Sequence, residues 1–91
     1  MAFNAILVQG KSVLIRTVTM IDVGTIAGVT EDFIVLENAA WIGDTGRFAN
    51  SLKTGQFDEV EPYPGQAWVA RSAIVDMCEI PAPGADGYAQ K

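Results

Sequence analysis

Gly24 and Gly28 lie in a stretch that otherwise has strand composition, and they limit what this chain can fold into more than any other feature. In an extended chain successive side chains alternate between faces. Met20 to Val29 therefore puts Asp22, Gly24, Ile26 and Gly28 on one face and Ile21, Val23, Thr25, Ala27 and Val29 on the other. Glycine weakens a strand but permits a tight coil or the close approach of another backbone, as a very small barrel requires. The polar turn Thr30-Glu31-Asp32 leads into Phe33-Ile34-Val35-Leu36, apolar on both faces. One turn of a buried helix is the alternative, but so short and β-branched a run favours a strand, either central or at a contact.

The remaining chain fits round this bent pair. Val13 to Val18, β-branched with Arg16 among apolar neighbours, reads as the first main strand. Between Trp41 and Ala67 the pattern breaks. Asp44 or Thr45 can cap a short helix there, with Phe48 and Leu52 one turn apart and Gly55 ending it. Phe57 to Gly65 mixes acids with turn-formers and prolines, which allows a loop with at most a short edge strand. Ala67 to Ala70 and Ala73 to Ile80 return to strand composition on either side of Arg71-Ser72. Pro81 to Lys91 offers little to pack and reads as a flexible tail.

A chain of 91 residues makes one domain and buries only about two thirds of its unfolded surface, so a partner subunit is expected to help. Eleven acids against six bases leave a net charge of −5, which repels free nucleic acid at long range and makes any RNA site a local one. Cys78 is the single cysteine and histidine is absent, so a disulfide within the chain and a Ser-His or Cys-His nucleophile are both ruled out. A reducing cytoplasm fits this usage. The sequence has no membrane-length apolar run, and Met1 to Val8 lacks the basic lead and apolar length of a signal peptide, so that stretch is expected to belong to the fold.

Two segments carry a resemblance. The first is Gly24-Thr25-Ile26-Ala27-Gly28-Val29-Thr30-Glu31-Asp32-Phe33-Ile34-Val35-Leu36-Glu37-Asn38-Ala39, and the second is Val69-Ala70-Arg71-Ser72-Ala73-Ile74-Val75. Together they resemble the two motifs of the Sm-like family, which includes the Sm and LSm proteins and the bacterial Hfq-type proteins. The resemblance implies an all-β fold: a small, strongly bent, five-stranded Sm-like (SH3-like) open barrel over residues 1–80. A short helix would be inserted between strands 3 and 4, in the segment 43–66. It further implies a homo-oligomeric ring, pentamer to heptamer, joined at strand edges that here comprise Ala67, Trp68, Val69, Ile74, Val75 and Met77.

The pore-side RNA site implied by the family falls on Thr30, Glu31, Asp32, Arg71 and Ser72. Only Arg71 transfers without change. Thr30 stands where the family has an aspartate, the family's RNA-contacting asparagine has no equivalent, and Ser72 replaces a glycine. Small divergent members of phages and environmental microbes have this character. Two functions follow, a single-stranded RNA binder or chaperone and a ring-shaped protein scaffold; neither calls for a cofactor, a metal, a membrane or catalysis. Arg71 could equally serve to pair with Glu31 or Asp32 and hold the ring.

Other constellations are weaker. Asp44-Thr45-Gly46 spells the triplet of aspartic proteases, which work as a pair of carboxylates, but its flanks favour helix capping. Asp58, Glu59 and Glu61 lack the ligand spacing of a calcium loop and read as a solvated acidic segment. Trp41, Phe48, Tyr63 and Trp68 read as core or interface packing before they read as a base-stacking surface. Cys78 falls where a strand would bury it.

Overall fold

The computed structural model describes residues 8–88; residues 1–7, expected to join the fold, and 89–91 of the expected tail lie outside the described residues. The elements run β1 (Ser12–Thr17), β2 (Ile21–Val29), β3 (Phe33–Asp44), α1 (Phe48–Thr54), β4 (Glu59–Pro62), β5 (Ala67–Ala70), a 3-10 turn (Arg71–Ala73) and β6 (Ile74–Glu79). All strand pairings are antiparallel, in the order β4-β3-β2-β1-β6, with β5 also on β3. The fold is all-β with one short helix, as expected, but it has six strands where five were expected. The sixth is β4, an edge strand inside the 43–66 segment.

The β2–β3 ladder slips register twice, between Val23 and Thr25 and between Ile26 and Gly28. At the first slip β3 carries the extra residue around Asn38, whose φ is 49°, a left-handed conformation that asparagine tolerates. At the second slip the extra residue is on β2. Gly24 is the point of closest approach: a Cβ there would lie 2.9 Å from Leu36 Cβ and 3.1 Å from the Glu37 carbonyl. The bend lets β3 pair with β5 through Phe33–Leu36 and with β4 through Ala40–Asp44. β3 was expected to break at Trp41. It continues instead to Asp44, because Ala40 and Ile42 bury on the far side of the bend.

A sheet bent in this way has two cores. Val13, Ile15, Ile26, Ile34, Leu36, Ala39, Ala67 and Val69 fill the inside of the curve. Leu14, Val23, Ala40 and Ile42 lie on the opposite face under Phe57, Val60, Ile80 and Tyr88. Both faces of β1 are thus covered, and Ser12 to Ile15 are consecutively buried. Phe57, read as loop, is fully buried with its ring edge-on to Tyr88 at 6.2 Å. The segment after β6, expected to have little to pack, supplies Tyr88, whose hydroxyl donates to the Pro81 carbonyl at 2.5 Å.

The helix begins later than expected, and neither Asp44 nor Thr45 caps it. Arg47 occupies the N-cap position without a side-chain bond, and Asp44 instead accepts the Gly46 amide at 2.8 Å in a tight turn. Ser51, fully buried, ties the helix back by donating to the Thr45 carbonyl. Gly55 ends the helix in the left-handed conformation as expected.

We expect Gly24→Ala to cost about 1 to 3 kcal/mol in urea unfolding, since the new methyl would meet β3 backbone that cannot move aside. Gly28→Ala meets nothing within 4 Å and should stay within about 0.5 kcal/mol of the parent.

Candidate functional site

The turns at residues 30–32 and 71–73 meet. Thr30 organises the first: its hydroxyl oxygen accepts the Phe33 amide at 2.9 Å and the Asp32 amide at 3.3 Å, and its own amide donates to the Phe33 carbonyl at 2.8 Å. Arg71 then ties the two together. Its amide donates to the Asp32 carbonyl at 2.8 Å and its Nη1 to the Thr30 carbonyl at 2.9 Å. Glu31, Asp32 and Ser72 are exposed beside it.

Within the chain Arg71 does not pair with Glu31 or Asp32, as one reading of the sequence held. It reaches main-chain carbonyl oxygen instead, and the ion pairs among the described residues are Lys11–Glu79 and Arg16–Asp76. A guanidinium carries five N–H donors. Among the described residues one of them, on Nη1, is engaged, at the Thr30 carbonyl.

Among the described residues β5 pairs only with β3 and β6 only with β1, so the strands flanking the 3-10 turn leave the sheet open between them. Both outer edges lack a partner strand among the described residues. Ala67 and Val69 turn into the core, and Ile74 and Met77 pack against it from half-buried positions. Trp68 and Val75 face outward, 58% and 61% exposed. The two acids of β6 do not guard its edge, because Asp76 pairs with Arg16 and Glu79 with Lys11 on the neighbouring β1.

Beside β5 and the turn before β2 lies a cavity of about 390 Å³. Asp22, only 4% exposed, lines it and accepts the Tyr63 hydroxyl at 2.8 Å. Burial pushes the Asp22 carboxyl up from its ordinary value, with the Tyr63 bond opposing it. Burial and then Asp22 raise the Tyr63 phenol to about 12, so it remains a donor through neutral pH. Site reasoning from sequence missed this pair. A signal existed for Asp22, an acid on the same face as Gly24 and Ile26, but Tyr63 gave none because 41 residues separate the two.

Of the four aromatics weighed as a surface, Trp41, Phe48 and Trp68 are exposed and not in the core, and Tyr63 is half-buried. They do not stack on one another; Trp68 meets Phe33 edge-on at 5.7 Å. Burial raises the half-buried Cys78 thiol away from reactivity. The described residues contain no group of three or more acids or thiols placed to ligate one ion. No family model, curated protein or solved structure matches this chain.

Asp22 sets a pH signature. An acid whose folded pKa is raised stabilises the fold most when protonated, so its contribution falls as pH rises through that pKa. We expect Asp22→Asn, which still accepts from Tyr63, to unfold at higher urea than the parent at pH 7 and to converge with it in acid. Tyr63→Phe should cost about 1 to 3 kcal/mol at pH 7 by leaving the carboxylate without its donor. Asp76, held down by Arg16, acts in the opposite sense: its contribution is present above the unfolded pKa and lost as pH falls.

Proposed function

We propose that this chain is the subunit of a closed, Sm-like homo-oligomeric ring whose turn face takes single-stranded RNA. The observation that carries the RNA reading is the Arg71 side chain, fixed between two turns with one of its donors engaged among the described residues. The ring reading rests on the open gap between β5 and β6. Head-to-tail pairing of one copy's β5 with the next copy's β6 satisfies both edges and buries Trp68 and Val75, and such pairing must either close by rotation or grow into a fibre. In a closed ring the joined turns recur once per subunit. Stacking at about 1 to 3 kcal/mol per base, repeated round the ring, can then offset the net charge of −5.

A second reading, a ring that binds protein, is favoured by one observation: Glu31 and Asp32 are exposed beside Arg71 and repel phosphate.

Light scattering at micromolar concentration should give a pentamer to heptamer that Trp68→Glu dissociates; a monomer at that concentration removes the ring. Anisotropy with labelled oligo-U and oligo-A at low salt should show binding that weakens as salt rises, and that Arg71→Ala weakens by about tenfold or more. A ring that ignores RNA, or binds it regardless of Arg71→Ala, leaves the protein-binding reading.

A further inference from the structure

We propose that the cavity beside β5 is a binding site for an organic cation, an alkylguanidinium or alkylammonium group, with Asp22 as its counter-charge. The cavity adjoins β5, the strand that the ring reading pairs with a second copy, but its argument uses neither that pairing nor RNA. Five of the described residues lining the cavity set its chemistry: Asp22 is the single acid among them, Ala67, Val69 and Ala73 give apolar wall, and Tyr63 already donates to one carboxylate oxygen, Oδ1. Among the described lining residues there is no lysine or arginine. The second oxygen, Oδ2, has no hydrogen-bond partner among the described residues and is not a fully buried atom.

A carboxylate this deep is costly as an anion unless a positive group meets it. A cation entering the mouth supplies that charge and a donor for Oδ2 together, a charge-assisted bond of the stronger kind. The volume, about 390 Å³, falls in the range of small-molecule sites. Metal ions fit poorly, since calcium takes about six to eight oxygen ligands and the described lining offers a single charged oxygen donor, the Asp22 carboxylate, beside the neutral side chains of Thr17, Thr19, Tyr63 and Gln66. An alkyl chain behind the charged head suits the alanine and valine wall.

The cation has two possible sources, a free solute or a side chain of a second copy. Among the described bases, Lys11 and Arg16 are engaged with Glu79 and Asp76, and Arg71 with Thr30. Arg47 and Lys53 form no ion pair among the described residues and are the side chains a second copy would offer.

NMR titration of the full chain with butylguanidinium and butylammonium, beside the uncharged butylurea of the same shape, tests this. We expect saturable shifts at the Asp22 carboxyl and the neighbouring Tyr63 signals with a cation, at least about tenfold weaker with butylurea, and lost in Asp22→Asn. The Asn variant keeps an acceptor for Tyr63, and the same spectra report whether it is folded. If a second copy supplies the cation, the Asp22 signals move on dilution instead, and Arg47→Gln or Lys53→Gln removes that movement. Equal binding of butylurea, equal binding by Asp22→Asn, or no response to either cation or dilution overturns the site.

Discussion

The close approach of β2 and β3 at Gly24 is the contact on which the other features depend. With no side chain at that position, Leu36, Glu37 and Ala39 come within van der Waals reach of β2, and the ladder slips past Asn38 without separating. Past the slip, β3 points its side chains at a different body of the protein. Ile34 and Leu36 face the inner core and Ala40 and Ile42 the outer one. One long strand thereby organises two cores, and each is too small to stabilise a domain alone.

The same bend fixes where the sheet stays open. Because β4 and β5 share one edge of β3, β5 is short and turns away through the 3-10 turn before it can meet β6. The gap exposes two strand edges and opens the mouth in which Asp22 sits, while the register of β5 on β3, Ala70 opposite Phe33, sets the Arg71 turn against the Thr30 turn. The features that offer function all lie on the side where the fold fails to close. That arrangement also suits an acidic protein, whose long-range field attracts no phosphate and whose recognition must be local.

Much of this was legible in the chain. Gly24 and Gly28 announced the bend, the Thr30 turn and the Arg71 segment announced the two loops that meet, and Gly55 announced the helix end. What was not legible has physical causes. Asn38 followed by two alanines looks like a strand terminus, yet asparagine tolerates the positive φ that carries β3 onward. Asp44 has the chemistry of a helix cap but spends it on the Gly46 amide. Phe57 stands next to acids and prolines, so local composition hides that it is the largest fully buried side chain. Tyr88 lies in a Pro-Gly segment whose only signal of packing is the aromatic itself. The Asp22–Tyr63 bond joins residues far apart in the chain, and no pattern along one strand can reveal it.

The claim most worth testing is that the two edges beside the gap are unsatisfied in one copy and satisfied by another. Amide hydrogen exchange of β5 and β6 reads this residue by residue. Amides that bond to β3 and β1 should be protected at every concentration, while the outward amides of Ala67–Ala70 and Ile74–Glu79 should be protected at high protein concentration and exchange freely on dilution. Outward amides that exchange equally fast at all concentrations would contradict edge pairing between copies.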